Sequence, residues 1–556
     1  MLLQQGLTRR DGLLILMGAS LVYIFSSLLY YAPPFHNLVA NTNHHTAQEQ
    51  WSTPLPITPQ PLTTSPKLLQ LDLGVSKDIP ETSLVAHAPG WTLFQNLYMS
   101  NGTLYIVASE LNNATFPEIR MMTSTGLLAE NSPENIAMRE PTDREMQTIT
   151  PQVAALKWGG NDADNSRNRI WSIEGNTLLV NEPWQFLNHY YHFVAELLLG
   201  TWAFLYGSFN PSSNLIKLEV PASSVSTVPS FNLRPSAYSP PPLSRVIFLH
   251  ASSEGWRDKP GFNSYFLRAA FPSLTVEVSN DWNDRVNSTF MPLPAAQAQQ
   301  RAWHFPVALL SDRSAAFRGE ACGTKTQRIA AESWEFMIQK GGIDVFGGWW
   351  NGVREAVIRF AGVEITNDEI AQLPLPGDEG VGDPQSLLPR PQKIIITYIN
   401  RQAVRRHLIP EHHDALVLAL QQLVDRKRAE DGKEWVFRIV QPELLSKEQQ
   451  VQMAAETTIM LGVHGNGLTH LVLMKPNRYS SIIEIFYPRG FAHDYEWTTR
   501  ALGMRHFSVW NDTYFTYPDE PPLPSYPEGF QGTSIPVHGA TVAKLIEDRL
   551  EGRLQL

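Results

Sequence analysis

Hydrophobic and polar positions change period several times along the 556 residues, and the most regular series begins near Pro391. Lys393–Ile399, KIIITYI, is an apolar, β-branched run of buried-strand type. A helix is predicted over 414–428, capped by Asp414 and stopped by Gly432. The next strand is 435–440 (WVFRIV), after which Ser446 and Gln449 form a capping box that opens a second helix. A third strand over 458–463 (TIMLGV), a short helix over 468–475 ended by Pro476, and a fourth strand over 481–486 (SIIEIF) complete the series. This β-α-β-α-β-α-β alternation predicts a doubly wound parallel sheet.

Upstream the pattern is more varied. Residues 91–109 read as a hairpin turning at Asn101-Gly102, and 177–182 (TLLVNE) as a strand that leads into a helix over 185–207. A strand at 245–250, a helix at 262–271 and a strand at 274–278 continue the alternation, so 81–390 is expected to be a second α/β domain with β additions. The Pro-, Ser- and Gly-rich segments 208–242 and 374–391 suit surface excursions.

The first eighty residues lack any such period. Residues 12–32 carry no charge and match the ~20 residues that cross a bilayer as a helix, with Arg9 and Arg10 just before them. The expectation is a cytosolic tail (1–11), a signal anchor (12–32) and a luminal remainder in a single-pass type II arrangement. A flexible stem follows over 33–80, because its Pro, Thr, Gln and Asn cannot bury enough surface to offset the entropy of ordering. Sequons at Asn101, Asn113, Asn287 and Asn511 lie on the luminal side of that topology. The single cysteine, Cys322, forbids an intrachain disulfide and is expected to be a buried thiol. A net charge of −10 argues against nucleic-acid partners, which need a basic face to displace counterions.

The candidate chemistry gathers at strand ends. In 459–486 a buried strand ends at Val463, and His464, Gly465, Asn466 and Gly467 precede a helix start whose N–H groups suit an anion such as a diphosphate. The ends of the neighbouring strands converge on the same crevice. They bring Arg401, Arg405 and Arg406 as phosphate-gripping candidates, and Glu484 as an acceptor for ribose hydroxyls. In NHYYHFVAE, His192 and Glu196 are four residues apart on a helix face, where a carboxylate can orient an imidazole as a general base. Asp258 is the next acidic candidate in that half. The acidic doublets Asp162/Asp164 and Asp494/Glu496 are too short to define a metal site.

Together, 396–408 (ITYINRQAVRRHL), 459–476 with its HGNGLT core, 481–486 and NHYYHFVAE resemble glycosyltransferase family 61, which includes EGF-domain-specific O-GlcNAc transferases and plant β-1,2-xylosyltransferases. The resemblance covers about 393–510 and, more faintly, 188–278. Asn466 stands where many members have alanine, and the near absence of cysteine departs from the disulfide-bearing members.

The resemblance implies a GT-B-like fold of two Rossmann-like domains facing across a cleft, with 391–556 holding the nucleotide sugar and ending in a C-terminal helix. It implies an inverting transferase of the Golgi or endoplasmic reticulum membrane. Such an enzyme moves a sugar, GlcNAc or xylose, from a UDP-sugar to a glycan or glycoprotein, with no permanently bound cofactor and no required metal. His192 with Glu196 would be the base, and Arg401, Arg405, His464–Gly467 and Glu484 would bind the donor. A catalytically silent, glycan-binding member and a metal-dependent GT-A-type transferase built around Asp162 and Asp164 are the alternatives; the regular alternation after Pro391 disfavours the second.

Overall fold

The computed structural model describes residues 79–109, 116–159, 167–209, 240–291, 300–322, 328–341, 348–364, 385, 388 and 390–554. The predicted span 12–32, the stem up to residue 78, Asn113 and the Asp162/Asp164 doublet lie outside them. Among the described residues no helix is long and apolar enough to cross a membrane.

Nine strands make the first sheet: β1 (Ser83–Ala88), β2 (Trp91–Ser100), β3 (Thr103–Val107), β4 (Met146–Ile149), β5 (Ile170–Ser172), β6 (Asn176–Pro183), β7 (Arg245–His250), β8 (Thr275–Glu277) and β9 (Ala302–Ser311). The order β4-β3-β2-β9-β6-β7-β8 is parallel from β9 to β8 and antiparallel across β9-β2-β3. The predicted hairpin is β2-β3, with Asn101 (φ 53°) and Gly102 (φ 83°) both left-handed as a two-residue turn of the primed type requires. The second sheet holds β10 (Lys393–Ile399), β11 (Glu434–Val440), β12 (Ile459–Val463), β13 (Ser481–Ile485), β14 (Arg505–Trp510) and β15 (Thr513–Phe515). Its order is β11-β10-β12-β13-β14-β15, parallel except for the last pair.

Both faces of the second sheet are covered, which is why its strands read as unbroken apolar runs. Ile394, Ile396, Tyr398, Ile459, Leu461, Ile483 and Ile485 pack under the helices Pro410–Asp431 and Gly539–Leu550. The alternate residues Ile399, Met460 and Ile482 enter a different core, shared with Trp91, Phe193, Phe204 and Trp256 of the first half. Trp349 and Trp350 sit in that shared core and donate their indole N–H groups to the carbonyls of Ala501 and Val472 at 3.0 and 2.9 Å.

The Ser446/Gln449 capping box is present as predicted, while three expected helices and the burial of the cysteine are corrected. The helix predicted from Asp414 starts at Pro410, where proline's fixed φ suits the first turn and no side chain caps the preceding Ile409. The helix expected at 468–475 is a 3-10 helix, Asn466–Leu473. The helix expected at 185–207 is broken into Trp184–Leu187, a π-helix Tyr191–Leu198 and an α-helix Leu199–Phe209. Cys322 is half-buried, not buried. Asn101 and Asn287 are exposed at the hairpin tip and in the last turn of a helix, and Asn511 is half-buried in the turn between β14 and β15.

Candidate functional site

In an open parallel sheet, ligands bind outside the carboxyl ends of two adjacent strands from which the chain leaves in opposite directions. For the second sheet the reversal lies between β10 and β12, so the residues after Ile399 and after Val463 face each other. Arg401 and Gly465 meet there: a Cβ on Gly465 would lie 1.6 Å from Arg401 Nη1. A side chain at 465 would displace that guanidinium. A Cβ on Gly467 would stand 2.9 Å from Ile399 Cγ2, so glycine there also allows close packing against β10.

Arg401 and Arg406 are crowded cations. Burial lowers the pKa of both, the charges of Arg406 and Arg405 lower that of Arg401 further, and the charge of Arg405 lowers that of Arg406. The Nε atoms of Arg401 and Arg406 are buried without hydrogen-bond partners among the described residues. Arg406 is held with φ 57°, a conformation that costs a non-glycine residue of order 1 kcal/mol, and its charge acts on Tyr495, Asp494 and Glu484. Arg405, exposed, contributes its carbonyl, which accepts from Arg401 Nη2 at 3.4 Å. These residues lie in the irregular segment between β10 and the helix Pro410–Asp431.

His464 stands between two carboxyl groups. Its Nδ1 is 2.5 Å from Glu484 Oε1 and its Nε2 is 3.8 Å from Asp494 Oδ2, while its ring is enclosed by Phe486, Tyr495 and Phe530. The other oxygen of Glu484 lies 2.8 Å from His506 Nε2. Burial pushes Glu484 well above the usual carboxylate range, His464 well below the usual imidazole range, and His506 down to about 4. The arrangement that fits these shifts is neutral, with His506 Nδ1 left as an unpartnered acceptor among the described residues. Glu484 carries a proton and donates to His464 Nδ1, His506 Nε2–H donates to Glu484, and His464 Nε2–H is left as a donor into the crevice. Glu484 is fully buried with both oxygens engaged, so the ribose role expected of it does not fit its position.

Isosteric Glu484→Gln should therefore keep near-native stability, because a carboxamide reproduces a protonated carboxyl. Glu484→Ala should lose about 2–4 kcal/mol by leaving two buried histidines unpaired. Denaturant melts of the two variants test this; equal destabilisation would mean that an ionised carboxylate is needed.

The other side of the crevice is built on the first sheet, whose own reversal lies between β6 and β9. Glu182 ends β6, and Arg313 follows β9. Arg313, fully buried over the Phe186 ring, donates to Glu182 Oε2 at 3.1 and 3.2 Å and to Glu196 Oε2. Burial alone would raise Glu196, but Arg313 and then His192 bring it down to about 2, so it is a carboxylate. Its Oε2 lies 2.6 Å from His192 Nδ1, which fixes the proton on Nδ1 and leaves Nε2 as an acceptor. The His192 side chain is 28% exposed and that of Glu196 1%.

Asp494, in the first turn of the helix Asp494–Ala501, links the two sides. Burial and then the Glu196 charge push its carboxyl up to about 7, against the opposing charge of His192. Tyr191, beside His192 in the π-helix, donates its hydroxyl to the Asp494 carbonyl at 2.7 Å and packs its ring 5.0 Å from Tyr495. The His192 segment is thereby seated on the segment that carries Asp494 and on the 3-10 helix after His464.

Of the predicted residues, His192 pairs with Glu196, and Arg401 meets the loop of His464 and Gly465. Asn466 takes its place in the 3-10 helix and accepts from Thr469 Oγ1 at 3.1 Å. Asp258 instead accepts from the Asn263 amide at 2.7 Å and organises its own turn. Arg313, Glu182 and His506 were not singled out from the sequence, and Asp494 only as half of an acidic doublet. The signal that could have found the first two is a charged residue at the carboxyl end of a strand flanking a reversal.

The family model described as Glycosyltransferase 61 matches residues 190–483, more than half of the chain. No curated protein matches it.

Proposed function

Because the chain belongs to the glycosyltransferase 61 family, and is on that ground a glycosyltransferase with a nucleotide-sugar donor and a glycan acceptor, we propose that it is an inverting enzyme that uses a UDP-sugar. The observation that carries this reading is the group of Arg401, Arg405 and Arg406 against the Gly465 turn, with two buried guanidinium Nε atoms unpartnered among the described residues. A diphosphate would satisfy those donors and relieve the repulsion that depresses Arg401 and Arg406. His464 Nε2–H would add a neutral donor. Charge growing on the departing UDP would thus meet fixed cations and dipoles.

Across the crevice His192 would take the proton of the acceptor hydroxyl at Nε2 as that oxygen attacks the anomeric carbon. Glu196 orients the ring and stabilises the imidazolium that results. The two sheets would then play the donor and acceptor parts of a GT-B arrangement, and 12–32 would anchor the protein in the Golgi or endoplasmic reticulum membrane with the body in the lumen.

The test is UDP release by the purified protein over a panel of UDP-sugars with glycan and protein acceptors. Sugar-dependent turnover supports the proposal, and inertness toward every UDP-sugar together with turnover of another nucleotide sugar would reassign the donor. Arg401→Ala should weaken UDP binding about 10- to 150-fold by calorimetry, the equivalent of a charge-assisted grip of ~1.5–3 kcal/mol. Gly465→Ala should do nearly the same by displacing that guanidinium, and the double variant should be little worse than either alone.

A further inference from the structure

We propose that His493, Glu496 and Glu520 form a divalent-cation site beside the crevice, independent of the donor reading above. His493 and Glu496 flank the start of the helix Asp494–Ala501, and Glu520 reaches them from the chain beyond β15. One ligand atom from each lies within 4.8 Å of the other two. His493 Nδ1 is 3.5 Å from Glu496 Oε2 and 3.8 Å from Glu520 Oε1.

The direction of the imidazole points to a ligand. Its Nε2 lies 3.4 Å from the carbonyl oxygen of Pro522, so Nε2 carries a proton, and Nδ1 is turned toward two carboxylate oxygens. Two carboxylate oxygens around Nδ1 call for a positive charge among them, which either a proton on Nδ1 or a metal ion supplies. A histidine that donates its other N–H to a backbone carbonyl is the usual posture of a metal ligand.

A second observation is independent of the first. The Glu520 side chain is 7% exposed, and its Oε2 is buried without a hydrogen-bond partner among the described residues. Arg500 donates from Nε to Glu496 Oε1 at 2.8 Å, which offsets one of the two negative charges and leaves Glu496 Oε2 directed at His493. One imidazole and two carboxylate oxygens suit Mn²⁺ or Zn²⁺. The ion would tie the segment that carries Glu520, and Phe530 beyond it, to the helix that begins with Asp494. Phe530 packs 5.4 Å from the His464 ring, so one ion would brace a wall of the crevice from outside it.

The probe is Mn²⁺ alone, titrated into the chelator-treated full-length protein and followed by the electron paramagnetic resonance of free Mn²⁺ and by thermal melts. The expected result is one saturable Mn²⁺ per chain and a higher melting temperature with the ion. Glu520→Gln should lower the affinity at least about tenfold and abolish the thermal shift. Because Gln preserves the shape of Glu, its metal-free melt should match the parent's; His493→Ala provides a second variant. The proposal is overturned if the folded parent binds no Mn²⁺ saturably, as an imidazolium clasped by the two carboxylates would give. It is equally overturned if Glu520→Gln binds as well as the parent, or if Mn²⁺ binds only once UDP is added, since the ion then travels with the diphosphate. Calorimetry with UDP in metal-free buffer reads the donor site separately.

Discussion

His192→Ala should lower kcat by about two to four orders of magnitude while leaving UDP affinity nearly unchanged, the usual worth of a general base placed away from the nucleotide. The structure sharpens what the controls must show. Glu196 is a carboxylate clasped by Arg313 as well as the partner of His192, so Glu196→Gln loses an orienting charge and disturbs a buried ion cluster at once. Its activity must therefore be corrected for the folded fraction, whereas His192, partly exposed, can be replaced with little effect on stability. Asp494 supplies a pH signature. With a carboxyl at about 7, it becomes anionic as pH rises through that value and can then offset the positive charge that the transferred proton brings to the site. Turnover is expected to climb through about pH 7 in the parent protein and to lose that limb in Asp494→Asn. A well-folded His192→Ala protein with parental turnover would remove the base assignment.

The second large effect is on stability. Arg313→Met keeps most of the side-chain volume over Phe186 but leaves Glu182 and Glu196 buried without their cation, and breaking such a cluster costs about 3–5 kcal/mol. The sign of its pH dependence follows. Without Arg313 both carboxyls prefer their protonated forms, so the variant's deficit relative to the parent should shrink as pH falls from 7 toward 5. Chemical denaturation at the two pH values measures this, and a deficit independent of pH would mean that lost packing dominates.

How far the sequence could be read depended on what each element needed from elsewhere in the chain. The second sheet was legible because its strands are buried on both faces, which leaves runs such as KIIITYI, and because Ser446 and Gln449 mark a helix start locally. The start at Pro410 was missed because the chain there is satisfied without a side-chain cap. β9, a central strand, was not recognised because Pro306 interrupts it. The sheet tolerates that proline opposite Asn96, whose φ of 58° breaks the ladder where an N–H would be lacking. With β9 hidden, Arg313 had no strand to end and the cation of the His192 cluster was out of sight. The π-turns of Tyr191–Leu198 leave no trace in a sequence with ordinary helical spacing. The HGNG turn and the His192/Glu196 pair were visible because their spacing is local. Their meeting around Asp494 was not, because it depends on the packing of two distant segments.

The core shared by Phe193, Trp256, Ile399, Met460 and Ile482 also bears on how the molecule can move. Leu71–Leu556 is one compact unit, and the indoles of Trp349 and Trp350 are bonded across it. A hinge that swung the two sheets apart would expose that core and break those bonds, at ~25 cal/mol for each Å² of apolar surface uncovered. Access to the site therefore does not come from parting the sheets, and the turn of Arg401–Arg406 is held by hydrogen bonds, Arg401 Nη2 to the Arg405 carbonyl and Gln402 to Leu408, and not by that core.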